Sequence, residues 1–196
     1  MKKLTRTGLI ALALSVSLMG YANDLKNPTK EKEPNVTSLN FAKVSQGSTL
    51  FIKDFNGLTL YKEAIQQTGE YSKGFDLTAL PDGSYFFELD SELRIVVIPF
   101  EVKSSEVNFK KEEKNTILKP IVRVSDDKVF VSRTSFEASP LQYKLYYAEN
   151  SDLVLSEKFE SETIIEKVYD FSEAQKGEYL FVFWSDGRKY VKSVKI

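Results

Sequence analysis

The chain contains no cysteine and no histidine. Their absence excludes disulfides, the Ser-His-Asp and Cys-His nucleophile systems, and the usual zinc and haem ligands. Nothing among the nine glycines resembles a phosphate-cradling loop, and no EF-hand loop or Ser-x-x-Lys motif occurs. Basic charge is not in excess either, since 27 Lys and Arg stand against 28 Asp and Glu. Nucleic acid is therefore not an expected partner, because holding phosphate takes a clustered basic surface. Paired carboxylates could still do glycosidase-type work. The candidates, Glu157 with Glu160 or Glu162, lie in hairpin-like charged segments with no sign of a cleft. The expectation is a protein that is not an enzyme and needs no cofactor or metal.

Long apolar runs are equally scarce. The one uncharged run, residues 8–19, follows Lys2, Lys3 and Arg6 and precedes the small-residue pattern Gly20-Tyr21-Ala22. This is the layout of a secretory signal peptide, with cleavage expected between Ala22 and Asn23. A membrane anchor needs about 18 or more apolar residues, so no span is expected in the mature chain. With no cysteine after the run, a lipoprotein anchor is excluded. Cleavage leaves 174 of the 196 residues at a net charge of −4, since the leader carries three basic and no acidic side chains. The expected address is the periplasm, the outer cell surface or the medium.

What is present in quantity is aromatic: ten Tyr and fourteen Phe, enough to fill two small cores. They recur in a pattern. Phe75-Asp76-Leu77-Thr78 is matched by Tyr169-Asp170-Phe171-Ser172, and Gly83-Ser84-Tyr85-Phe86-Phe87 by Gly177-Glu178-Tyr179-Leu180-Phe181, both at a shift of 94. Solenoid units repeat every ~20–50 residues, so a repeat this long is a domain.

Each copy alternates apolar and polar residues between turn signals. In the first, Asn56-Gly57 joins Leu50 and Ile52 to Leu58 and Leu60, and Pro81-Asp82-Gly83 precedes Tyr85, Phe87 and Leu89. In the second, about seven short strands are expected, with turns at Ser125-Asp126-Asp127, Asn150-Ser151-Asp152 and Asp186-Gly187. Short strands at this spacing, with no long helical period, predict two tandem immunoglobulin-like antiparallel β-sandwiches. The expected divisions are a leader over 1–22, a flexible lead over 23–35, a first module over 36–103 and a second over 120–196. Residues 104–119, centred on Lys110-Lys111-Glu112-Glu113-Lys114, read as a solvated linker or a short helix.

The shared positions have structural readings. Gly83 and Gly177 suit a turn with positive φ. Tyr85 and Tyr179, two residues on, suit a tyrosine corner, in which the hydroxyl bonds to backbone just upstream. Asp76 and Asp170 can accept bonds from the intervening turn. One Asp per copy is too few hard ligands for calcium, which weighs against a metal site.

These residues carry a resemblance. Gly57-Leu58-Thr59-Leu60, followed by the run from Phe75-Asp76-Leu77-Thr78 to Gly83-Ser84-Tyr85, resembles the immunoglobulin-like C-terminal sorting domain of type IX secretion and related secreted bacterial β-sandwich repeats. Residues 169–179 follow the same pattern, with Ala174 in place of its second Leu, and a basic strand over 187–196 comes after them. The resemblance implies an exported β-sandwich whose C-terminal copy could direct passage across the outer membrane. Sorting domains are single appendages on large cargo, whereas here two copies fill the mature chain.

Two surfaces are candidates for binding a protein or glycan partner. Ile95, Val97, Ile98 and Phe100 belong to a strand apolar on both faces, and Pro99 within it lacks a donor. Such a strand is either covered by the second module or the linker, or is an edge that pairs with a partner strand. Tyr146 and Trp184 are either ordinary packing or an exposed aromatic platform for sugar rings.

Overall fold

The computed structural model describes residues 36–196; the expected leader, its cleavage point at Ala22 and Asn23, and the lead over 23–35 lie outside the described residues. Apart from two single 3-10 turns, all regular structure there is strand. In chain order the strands are β1 (Val36–Val44), β2 (Thr49–Asp54), β3 (Thr59–Ala64), β4 (Gly69–Asp76), β5 (Gly83–Asp90), β6 (Arg94–Lys103), β7 (Glu106–Phe109), β8 (Asn115–Leu118), β9 (Ile121–Ser125), β10 (Lys128–Tyr147), β11 (Asp152–Asp170), β12 (Glu178–Ser185) and β13 (Arg188–Lys195). All the pairings are antiparallel.

In the first repeat, the β1–β4 ribbon lies over the sheet β3-β2-β5-β6-β7, with β8 also on β6. Leu39, Leu50, Phe87, Phe100 and Val102 fill the space between them. The turn from β2 to β3 is closed by Gly57 at φ 83°, with Asp54 Oδ1 accepting from the Leu58 amide at 2.8 Å.

The second repeat reaches the same layering with fewer, longer strands. Of the seven short strands expected, two pairs are fused, giving β10 and β11. The first half of β10 pairs with β9 and the last part of β11, and its second half with β12 and the first part of β11. Register shifts between Thr134 and Leu141 mark the place where the ribbon bends. Val129, Val131 and Ile165 from before the bend share one core with Leu141, Tyr143, Leu145, Phe181 and Phe183 from after it. A strand that crosses between layers through a bulge is a recognised way to turn a sandwich corner. The chain passes this bend as one continuous strand, with no glycine or tight turn.

The expected linker is folded. Ser104 and Ser105 take φ of 51° and 62° and turn the chain straight back into β7, and residues 115–118 add as β8. The Ser104 amide donates to Asp82 Oδ1 at 2.8 Å, tying this turn to the Pro81-Asp82-Gly83 turn. Both repeats lie within one compact unit, Pro34–Ile196. Ile95 is part of the second repeat's core, and Val97 and Ile117 pack against it.

Candidate functional site

The shared motif builds the start of the penultimate strand in each repeat. Tyr85 Oη donates to the Pro81 carbonyl at 2.8 Å and Tyr179 Oη to the Gln175 carbonyl at 2.7 Å, in each case four residues upstream. Asp76 Oδ1 accepts from the amide and hydroxyl of Thr78, and Asp170 Oδ1 from the amide of Ser172 at 2.9 Å. The glycines differ. Gly177 has φ 153°, and a Cβ there would lie 2.8 Å from the ring and hydroxyl of Tyr147. Gly83 does not take positive φ, contrary to expectation, because it already belongs to β5; a Cβ there would sit 3.5 Å from Tyr85. Gly177→Ala is therefore expected to cost about 2 kcal/mol, and Gly83→Ala less than about 1 kcal/mol, read from urea midpoints.

The strand of Ile95, Val97, Ile98 and Phe100 is not an edge. β6 is paired with β5 on one side, and with β8 at Arg94–Val97 and β7 at Phe100–Lys103 on the other. The Pro99 carbonyl, between the two, accepts from the Lys110 amide at 3.1 Å. Its two apolar faces have two causes: Val96, Phe100 and Val102 face the first core, and Ile95 and Val97 face the second.

Tyr146 and Trp184 share the outer face of the second repeat's sheet but do not touch. Trp184 lies opposite Gln142 and Tyr146 opposite Leu180, so about 13 Å of strand separates them. The cross-strand rows on this face read Lys158, Gln142, Trp184, Lys189; then Ser156, Lys144, Val182, Val191; then Leu153, Tyr146, Leu180, Ser193. Trp184 is 37% exposed and Val191 55%. Lys189 Nζ stands 5.8 Å from the indole centroid, a cation–π contact.

Charged groups placed indoors were missed by the sequence reading. Glu88 on β5 is 2% exposed and is gripped by Lys53 of β2 and Arg188 of β13, so one carboxylate joins the two repeats. Burial pushes this carboxyl up, but the bonds from Arg188 and Lys53 outweigh burial and hold it below the ordinary range. Arg133 is 1% exposed at the bend of β10. Its guanidinium donates to the carbonyls of Ser139 (3.3 Å) and Glu162 (2.8 Å) and to Ser185 Oγ (3.2 Å), with Asp186 at 3.5 Å.

A third cluster has a signal in the repeat itself. Glu63 and Glu157 match at the shift of 94, as do Lys73 and Lys167, and Phe75 and Tyr169. Glu63 Oε2 accepts from Tyr61 (2.6 Å), Tyr71 (2.8 Å) and Lys73 (2.8 Å) across the layers. Glu157 accepts from Tyr169 at 3.2 Å, and Tyr169 in turn bonds Tyr143. Glu160 is paired with Lys158 on the exposed surface, and Glu162 lends only its backbone carbonyl to Arg133. The three carboxylates thus sit in three different surroundings, not in one constellation.

The Lys73 ammonium and then the Tyr61 hydroxyl hold the Glu63 carboxyl at about 2, against the opposing effect of burial. Carbon-13 titration is expected to show Glu63 ionised down to about pH 2, and Lys73→Gln to raise that midpoint by about one unit or more. Since the folded value lies below the unfolded one, the cluster stabilises above about pH 4 and the contribution is lost as pH falls toward 2.

Among the described residues no group of three or more His, Cys, Asp or Glu is placed to hold a metal, and no helix is long and apolar enough to cross a membrane. No protein-family model matches the chain, and no curated protein matches it. Among solved structures it is similar to a chain titled "Biofilm associated protein - BSP domain", at 14% identity over 83% of this chain, with a TM-score of 0.30. The match spans 27% of that chain's length, so this protein corresponds to about a quarter of it.

Proposed function

We propose that this is an exported, non-enzymatic protein of two tandem immunoglobulin-like modules with a binding, adhesion or cell-envelope role. The observation that carries the reading is the outer face of the β11-β10-β12-β13 sheet. Trp184, Val191 and Leu153 are exposed there beside Tyr146 and Val182, flanked by Lys144, Lys158 and Lys189. An exposed strip of aromatic and aliphatic groups rimmed by cations is suited to a protein or sugar partner carrying negative charge. Glu63, Glu88 and Glu157, by contrast, are engaged in ion pairs or tyrosine bonds within the fold.

In fractionated producing cells the mature protein is expected in the envelope or the medium. Tyr146→Ser with Trp184→Ser is expected to weaken its retention on isolated envelopes by about tenfold while leaving its melting temperature nearly unchanged. A wholly cytoplasmic protein, or retention indifferent to both changes, contradicts the reading. Tryptophan fluorescence during titration with a glycan panel distinguishes a sugar partner from a protein one.

The basic character of β13 favours a second reading, a sorting role for the C-terminal copy. Its test is location. Periplasmic accumulation of a variant with Lys189, Lys192 and Lys195 changed to Glu, when the unaltered protein leaves the cell, supports sorting. Unchanged location opposes it.

A further inference from the structure

β13 is the last strand of its sheet, and its ladder ends with Gly177 and Ile196 exchanging N–H···O bonds of 3.2 and 3.0 Å. Bonded and unbonded pairs alternate along an antiparallel ladder. The backbone groups of Lys189, Val191, Ser193 and Lys195 therefore point away from β12, and no strand among the described residues pairs with that side. The repeat supplies a control. Tyr85 pairs with Phe100 as Tyr179 pairs with Val194, so β6 and β13 are equivalent at the shift of 94. On β6 the matching positions are occupied: Ile95 and Val97 by Ile117 and Asn115 of β8, Glu101 by Asn108 of β7, and Pro99 by the Lys110 amide.

The uncovered edge has its own chemistry. A cleft of about 310 Å³ runs beside it, lined among others by Ile95, Lys119, Lys189, Tyr190, Val191 and Lys192. Tyr190 is 8% exposed, and its buried hydroxyl has no hydrogen-bond partner among the described residues. The carboxylate in the cleft, Asp90, is already paired with Lys119. Among the described residues no carboxylate pairs with Lys189, Lys192 or Lys195.

We propose that β13 accepts an extended acidic peptide segment as an added antiparallel strand, in the place that β7 and β8 fill on β6. Carboxylates face Lys189, Lys192 and Lys195, an apolar side chain faces Val191, and a carboxylate entering the cleft accepts from Tyr190. Backbone pairing supplies affinity, and the side chains opposite supply selection. A second β13 is a poor occupant, since two-fold pairing would set lysine against lysine, and like charges across a ladder repel. The inference rests on the binding reading above and names the partner's chemistry.

The test uses the intact mature protein and a synthetic ten-residue peptide of threonines with glutamate at every third position, to face Lys195, Lys192 and Lys189, and valine directly after the middle glutamate, to face Val191, beside the same peptide with lysine for glutamate. The glutamate peptide is expected to slow amide exchange of Lys189, Val191, Ser193 and Lys195 by about tenfold or more. Val191→Pro is expected to abolish this while leaving the melting curve intact, because it removes only a donor that β12 does not use. Pro99 occupies an outward position of the same kind on β6. Lys189→Glu with Lys195→Glu, a surface change, is expected to weaken binding about tenfold or more. Equal binding of the lysine peptide, or exchange unaltered at saturation, overturns the proposal. So do edge amides already slow in the protein alone, showing that a segment of this chain covers them, or slow only as the protein dimerises. Envelope retention that survives such a failure leaves the broader reading standing. Peptide binding without envelope retention removes that reading and keeps the edge.

Discussion

Arg133→Ala is expected to destabilise the protein by about 4 kcal/mol, lowering its melting temperature by roughly 10 °C. The guanidinium fills the bend of β10 and meets two backbone carbonyls and two hydroxyls from three parts of the chain. Truncation leaves those acceptors without their donor, and it removes the buried side chain that spans the corner. Buried acceptors without donors cost about 1–3 kcal/mol each, and the cavity adds to that. Arg133→Met separates the two causes, since it keeps most of the volume and loses the bonds. A methionine variant nearly as unstable as the alanine one assigns the effect to the hydrogen bonds. A methionine variant as stable as the parent would show that Arg133 acts as filler. Calorimetry of both variants decides.

Glu88→Gln is expected to cost about 3 kcal/mol. Two cations converge on a carboxylate that water barely reaches, and the amide leaves both without a counter-charge. Arg188 and Lys53 keep some contact with solvent, with side chains 29% and 19% exposed, which holds the cost near the lower end of that for broken buried pairs. The loss should be felt between the repeats, because Arg188 belongs to β13 and Glu88 to β5. Faster amide exchange at Ile95, which packs into the second core, is the expected local sign. A cycle with Arg188→Gln should show coupling of about 1–2 kcal/mol; additive losses would deny the pair its bridging role. Acid acts in the same direction. The folded carboxyl lies below its unfolded value, so its contribution is present at neutral pH and falls as pH drops through the folded value.

Turns written in ordinary turn chemistry were legible from the sequence. Asn56-Gly57 and Asp186-Gly187 carry the positive φ that their residues tolerate, with Gly57 at 83°, Asp186 at 52° and Gly187 at 69°. The alternation of Tyr85, Phe87 and Leu89 named core positions that are buried. Ser104-Ser105 was not legible, because serine seldom takes positive φ and the charges beyond it look solvated. Without that turn β7 and β8 are hidden, and the sequence leaves open whether β6 is covered or an edge. The fused strands escaped for a related reason. In the first repeat Phe41 lies across from Tyr71 near the end of β1, and Gly47 at φ 84° turns the chain soon afterwards. In the second, Arg133 stands across from Ile165 and the chain runs on through a bulge. A buried arginine has the same local sequence context as a solvated one; only the bend, assembled from distant residues, separates them.

Of the differences between the repeats, the one on which the proposed peptide binding rests lies between β6 and β13. β6 is covered on both edges and both faces, whereas β13 keeps an outer edge of lysine, valine and serine unpaired among the described residues. Residue-resolved amide exchange of the intact mature protein, without any added partner, compares the two directly. Slow exchange at Ile95, Val97 and Glu101 together with fast exchange at Lys189, Val191 and Lys195 is the predicted result. Equal protection at the matching positions would contradict an open edge in the C-terminal copy.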